Sequence, residues 1–520
     1  MEKYIIGIDQ STQGTKALLF DGQGALVARE DLSHRQLINE KGWVSHDAME
    51  IYENTVAVVR RLVEKSGIEK GAVAGVGISN QRETSVAWSR STGQPLQEAI
   101  VWQCARAKEI CDEVAAMGVS EQVREKTGIF LSPYFPASKF AWLLRQQRRN
   151  CGFQAAETLA DGKTIGLETM GENINGTVDA GDICLGTVDS WLVYKLTGGA
   201  RFQTDYSNAS RTQLFNLHTL SWDGEICEWF KIPMECLPRV TDSDGDFGET
   251  DFEGFFDTPI PIRGVMGDSH GALFGQGCHK PGMVKSTYGT GSSIMMNVGA
   301  KPVMSTHGIV TSLAWSIGGK AEYVLEGNIN YTGAVITWLQ KDLRLIATTK
   351  ETEELALSAN AGDKTYIVPA FSGLGAPYWD SDATASISGI TRTTGKAEVV
   401  RAALDSIAYQ ITDVLKAMEQ DAGVLIEALR VDGGPTANRY LMQFQSDIAD
   451  VSVQVPDAEE LSGIGVAYLA GITLGIFDRE EIFGRMSRRT YQPVMEEAVR
   501  QEKLSGWKKA VAGVLTNTEM

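Results

Sequence analysis

The chain has 520 residues, 43% of them hydrophobic and 22% charged, the balance of a soluble globular protein too long for one ordinary core, so two domains are expected. Its 48 basic residues against 66 acidic leave a formal charge of −18, which argues against a nucleic-acid or anionic-membrane partner, since either needs a basic surface. Seven cysteines, at 104, 111, 151, 184, 227, 236 and 278, form no CxxC pair and no Cys/His spacing suited to zinc, and they read as reduced, buried small residues.

The first elements read as strand, hairpin, strand and helix. Tyr4 to Ile8 and Ala17 to Phe20 are apolar runs, and the turn Asp21-Gly22-Gln23-Gly24 leads to a third run near Leu26 and Val27. Asp47, with Glu50 three residues on, resembles a capping box, after which Met49, Tyr52, Val56, Val59 and Val63 recur at helical spacing. Residues 146–182 are polar and glycine-dotted and read as a surface insertion.

A second unit of the same outline follows Gly282: Met283 to Lys285, a polar stretch from Ser286 to Ser293, then Ile294 to Met296. Two strand, polar loop, strand elements in separate halves suggest a duplicated architecture. Glu398 to Met418 has the apolar spacing of a helix, Leu429 to Val431 reads as a strand, and Pro435 occupies the first position of a helix from Thr436 to Ile448. Alternating strands and helices imply an α/β fold. No charged-then-apolar leader and no run of about eighteen apolar residues occur, so a cytoplasmic protein without membrane insertion is expected.

Three loops could hold phosphate. Asp9-Gln10-Ser11-Thr12-Gln13-Gly14-Thr15-Lys16 supplies backbone N–H groups, hydroxyls and a cation beside one carboxylate. Tyr288-Gly289-Thr290-Gly291-Ser292-Ser293 has the same donor-rich character, and Asp432-Gly433-Gly434 ends a strand where a helix begins. Taken singly, each is weak evidence, and any one glycine pair reads more readily as a tight turn. No P-loop spacing, no GxGxxG after a strand and no GxSxG elbow occurs, so a nucleotide reading rests on the three loops together.

The stretches IIGIDQST, ISNQRET, AIVWQCAR, KFAWLL, TDYSNASRTQLFN, GVMGDSHGALFGQ, STYGTG, PAFSGLGAPYWD and RVDGG, in this order, resemble the FGGY family of carbohydrate kinases, and most closely its branch that phosphorylates glycerol. The resemblance covers nearly the whole chain. It implies an α/β fold of two ribonuclease-H-like, actin-like ATPase domains with a central interdomain cleft. Residues 1–275 would take the acceptor and carry the first phosphate loop, and residues 276–520 would bind the nucleotide.

The implied reaction moves the γ-phosphate of ATP, with Mg²⁺, to a primary hydroxyl of a small polyol or sugar. By position, Asp268 matches the catalytic base, and Arg82, Glu83, Trp102, Tyr134 and Asp268 match the acceptor contacts. Thr12, Lys16, Thr290, Gly333, Gly434 and Asn438 match the nucleotide side, while Asp9 and Asp268 match the metal side. Ser269 stands where glutamine is usual, Ser293 where an aromatic residue is usual, and Lys16 where arginine is usual. The two serines make a four- or five-carbon polyol or ketose the alternative acceptor. An actin-like ATP-binding sensor is the alternative of another class, which would have no use for the acceptor set. A homodimer or homotetramer is expected, and His218 reads as an ordinary surface or packing histidine.

Overall fold

The computed structural model describes residues 2–150 and 180–516. The insertion expected at 146–182 and Cys151 lie almost wholly outside the described residues. The chain divides into two compact units. The first comprises Met1–Asp268, Trp315–Gly319 and Val466–Phe477, and the second Ser269–Ala314, Lys320–Gly465 and Asp478–Met520.

The first unit is organised by a sheet in the order Glu249–Thr250, β5, β4, β1, β2, β3. Its strands are β1 (Tyr4–Gln10), β2 (Gly14–Phe20), β3 (Leu26–Ser33), β4 (Val73–Asn80) and β5 (Ile260–Gly267). The pairs β1–β2 and β2–β3 are antiparallel, whereas β4 runs parallel to β1 and β5 parallel to β4. The continuous apolar run of β1 follows from burial on both faces, since Ile5, Ile6 and Ile8 have no exposed surface.

The helix Ala48–Ser66 packs its Ile51, Val59 and Leu62 into the same core as Ile6 and Ile8. Asp47 caps that helix by accepting from the Met49 N–H at 2.8 Å, but Glu50 turns to Arg35 Nε at 3.3 Å, so the reciprocal arm of the expected capping box is replaced by an ion pair. Gly77 in β4 lies against the later part of the helix Leu461–Thr473: a Cβ there would sit 2.2 Å from the Val466 carbonyl oxygen, so only glycine permits the approach. A second core, around Val101, Phe140, Leu143, Leu185 and Leu214, supports residues 100–144.

The second unit repeats the pattern. Its strands β6 (Val284–Tyr288), β7 (Ser292–Gly299), β8 (Lys320–Ile329), β9 (Ala428–Asp432) and β10 (Ser452–Pro456) lie in the order β8, β7, β6, β9, β10, between edge strands Val310–Ile317 and Arg488–Tyr491. Again the first three are antiparallel and the next two parallel. Order and direction thus match β3, β2, β1, β4, β5 strand for strand, which is the duplicated ribonuclease-H-like topology of actin-like ATPases.

Three boundaries in the second unit differ from the sequence expectation. The polar stretch Ser286 to Ser293 is mostly strand, and only Gly289 to Gly291 form the loop. Ser286 and Ser292 are buried in the sheet and Thr287 and Ser293 half-buried, so polarity did not mark a loop. The helix expected from Thr436 instead begins as a 3₁₀ turn, Gly434–Ala437, with Pro435 at its start, and restarts at Arg439 with Asn438 as cap. The long helix extends over Lys396–Ala422 and stops at Gly423, whose φ is 66°.

Candidate active site

The first polar loop is a tight hairpin between β1 and β2. Ser11 N–H and Ser11 Oγ both donate to the Gly14 carbonyl, at 2.8 and 3.0 Å. Asp9 and Lys16 are therefore strand residues, placed directly opposite one another in the β1–β2 register. Asp9 is 6% exposed and accepts from Ser79 Oγ at 3.2 Å. From outside the hairpin, His34 donates its Nε2–H to the Thr12 carbonyl at 3.0 Å, and its backbone N–H to the Gln13 carbonyl. Burial and the neighbouring His46 ring hold His34 down to about 4, so it stays neutral and keeps donating to this loop.

Arg82, Glu83 and Asp268, expected on the acceptor side, lie just past the ends of β4 and β5. Arg82 and Glu83 follow β4 after Gln81, and both are buried. They have different partners. Arg82 Nε lies 3.2 Å from Asp268 Oδ1, and Asp268 follows the last residue of β5 and opens the helix Asp268–Gly275. Glu83, at φ 60°, accepts from Arg211 Nε at 2.6 Å, and both side chains are at most 2% exposed. A non-glycine residue held in the left-handed region is strained backbone kept by its surroundings.

Trp102 joins the two sets. Its indole N–H donates to Thr12 Oγ1 at 2.9 Å, its backbone N–H donates to Thr84 Oγ1 at 3.2 Å, and its ring meets that of Tyr134 edge-on at 5.5 Å between centroids. Behind these rings Lys139 is fully buried and donates to the carbonyls of Trp102, at 3.0 Å, and of Tyr134. Burial pushes this ammonium down to about 7, against the pull of the Glu83 carboxylate. One side chain thus fixes the backbones of both aromatic residues. Ser269, next to Asp268, is partly buried, and His270 is fully buried within the helix.

The residues of the second unit expected on the nucleotide side lie around the β6–β7 loop and after the end of β9. Gly289 and Thr290 are exposed. Their carbonyls accept from the Gly333 N–H at 2.9 Å and the Ala334 N–H at 3.0 Å, at the start of the helix Gly333–Thr337. Gly433, at φ 97°, would place a Cβ 2.0 Å from the Tyr288 carbonyl, so only glycine lets the β9 turn pack on the end of β6. Gly434 beside it is exposed and has open space around it. Asn438 caps the helix Arg439–Ala449 through Leu441 N–H at 2.9 Å and donates to Thr352 Oγ1 at 3.0 Å, a structural duty the sequence reading did not include. Ser293 lies on β7, with its Oγ 3.4 Å from Lys285 Nζ.

Arg211, Lys139, His34 and Ser79 hold these groups, and none of the four was assigned a role from sequence. Three of them stand inside stretches already singled out, ISNQRET, KFAWLL and TDYSNASRTQLFN, and in the last two a cation amid small or apolar residues is the signal. His218 is exposed and donates its Nε2–H to the Glu125 carbonyl at 2.9 Å. The six cysteines among the described residues are buried, as expected. Among these residues no helix is long and apolar enough to cross a membrane.

Comparison with known proteins agrees with this architecture. Residues 4–275 match the N-terminal domain of the FGGY family of carbohydrate kinases, and residues 284–474 match its C-terminal domain. The chain is 44% identical to a glycerol kinase of Caldanaerobacter subterraneus subsp. tengcongensis over 98% of both chains. It is 45% identical to glycerol kinase 1 of Thermotoga maritima over 99% of this chain and all of that one. Its structure is similar to that of Plasmodium falciparum glycerol kinase with ADP, at a TM-score of 0.87 and 34% identity over 99% of each chain. The gluconate kinase of Lactobacillus acidophilus, at 22% identity and a TM-score of 0.85, shares the fold. With both family domains present in order and its relatives matched from end to end, the chain belongs to the FGGY family of carbohydrate kinases.

Proposed function

We propose that this chain transfers the γ-phosphate of ATP to a primary hydroxyl of glycerol. The observation that carries the reading is the acceptor set. A carboxylate at the end of β5, Asp268, is held by the buried Arg82, with the buried Glu83 next in sequence. Phosphoryl transfer is mainly positioning and electrostatic stabilisation, and the protein needs a carboxylate able to take the hydroxyl proton. Asp268 has that role here. Arg82 and Glu83 supply a donor and an acceptor for neighbouring hydroxyls, and the edge-on pair Trp102 and Tyr134 supplies an apolar wall for the carbon chain. An ATP-binding sensor needs none of these groups.

In this reading residues 1–275 take the acceptor, and residues 276–520 bind the nucleotide through Thr290, Gly333, Gly434 and Asn438. Thr12 and Lys16 serve the phosphates from the first hairpin. Mg²⁺ fits the donor set: among the described residues no three His, Cys, Asp or Glu side chains form a metal cage, and Mg²⁺ is characteristically held by one or two carboxylates with phosphate oxygens and water. Asp9 and Asp268 would be those carboxylates, and the ion would neutralise charge on the phosphates.

Serines at 269 and 293 support a second acceptor class, four- and five-carbon polyols or ketoses, because a hydroxyl in place of a larger side chain leaves volume and a hydrogen-bonding group. Acceptor-dependent ADP release across glycerol, erythritol, threitol, erythrulose, xylulose and ribulose tests both. The expected result is the highest kcat/KM with glycerol. A preference for a longer acceptor would replace glycerol with that class, and no acceptor-dependent ADP release would reject the kinase reading.

A further inference from the structure

The stretch Asp205 to Arg211, DYSNASR, has no part in the reaction described above, yet its side chains reach the Glu83 carboxylate directly and the backbone of the residue before Asp268. Asp205 has no exposed surface. Its carboxylate accepts from the N–H groups of Ser207 and Asn208, at 3.0 and 2.9 Å, and from Ser207 Oγ, Asn208 Nδ2 and Ser243 Oγ, at 2.9, 2.9 and 2.8 Å. Five donors on one buried carboxylate fix the turn that follows it.

From that turn three side chains reach outward. Ser207 Oγ accepts the N–H of Gly267, the residue immediately before Asp268, at 3.0 Å. Asn208 and Asn80, the last residue of β4, exchange amide hydrogen bonds in both directions at 3.0 Å. Arg211 grips Glu83 and lies over the Phe135 ring at 5.0 Å. The ends of β4 and β5 are thereby tied to one point.

We infer that Asp205–Arg211 is the positioning element of the acceptor site, with Ser207 setting the place of Asp268 and Arg211 setting that of Glu83. The inference rests on the acceptor reading given above. None of these residues need touch the acceptor. Ser207 acts through the backbone of Gly267, the residue before the base, so its loss alters the proton-accepting geometry more than acceptor affinity. Arg211 holds one oxygen of Glu83 and so aims the other, and its loss weakens acceptor binding more than the chemical step. The two ends of one seven-residue segment should therefore separate in kinetics.

The test uses the full-length variants Ser207→Ala, Arg211→Gln and Arg211→Lys. Ser207→Ala should lower kcat about tenfold with acceptor KM changed less than about twofold, the behaviour of a misplaced reacting group. Arg211→Gln should raise acceptor KM about tenfold or more, with ATP KM within about twofold, because an acceptor carboxylate has lost its aim. Arg211→Lys should fall between, since an ammonium keeps the charge but lacks the rigid guanidinium fork. It also serves as the test if Arg211→Gln does not fold.

Proportional loss of kcat, acceptor affinity and folded fraction in both variants, or no change in either, would overturn the inference. Amide hydrogen exchange provides a readout independent of activity: Gly267 should lose protection in Ser207→Ala and keep it in Arg211→Gln. Wild-type protein without acceptor-dependent ADP release would reject the proposed function, while the exchange pattern would still decide the positioning role.

Discussion

Replacing Asp268 by asparagine separates chemistry from folding. The asparagine keeps the shape and an oxygen for Arg82 Nε, now 3.2 Å from Asp268 Oδ1, but loses the charge. The stability cost lies between two limits. An exposed pair contributes about 0–1 kcal/mol, and breaking a buried one costs about 3–5 kcal/mol. Arg82 is 6% exposed and Asp268 36%, so an intermediate cost of about 1–2 kcal/mol is expected, including the loss of a favourable anion in the first turn of a helix. In a unit of this size that is a fall in Tm of roughly 3–8 °C. The effect on the reaction should be larger: removing a general base costs about 10²–10⁴ in kcat, or about 3–5 kcal/mol of barrier. Coupled-enzyme detection of ADP with saturating glycerol and ATP, alongside thermal unfolding of the same preparation, measures both. A folded Asp268→Asn protein retaining more than about a fifth of wild-type kcat would refute the assignment of Asp268 as base.

Acid should destabilise the protein through His34. Its folded-state pKa, about 4, lies below the ordinary 6.5, so the unfolded chain binds the proton more readily. The associated stability is full above pH 6.5 and is lost as pH falls from 6.5 to 4, by up to about 3 kcal/mol. Chemical denaturation from pH 7.5 to 4.5 should show a shallower decline in His34→Gln, and equal slopes would contradict the shift. Gly77→Ala places a methyl 2.2 Å from the Val466 carbonyl, which should cost about 1–3 kcal/mol or more and appear as a lower denaturation midpoint; an unchanged midpoint would mean the helix Leu461–Thr473 is free to move. Chelation of divalent cations should abolish ADP release while leaving the Tm of the nucleotide-free protein unchanged, because among the described residues no metal cage contributes to folding. A large fall in Tm would show a structural ion.

Much of this was legible in the sequence. Apolar period gave the first two strands, the helix after Asp47 and most of the long helix that stops at Gly423, because these depend on neighbours along the chain. The ordered motifs gave the family and, with it, the residues proposed for the acceptor site. What local pattern could not decide was where a polar run is buried: Ser286 to Tyr288, Ser292 and Ser293 are strand because the sheet around them is covered on both faces, and that covering comes from residues distant in sequence. Tertiary structure alone also paired Glu83 with Arg211 across 128 residues and placed Val466–Phe477 with the first unit. Hydrogen bonds and ion pairs of that range leave no periodic trace in a single chain, since each partner's residue type is compatible with many others and only the folded backbone selects one.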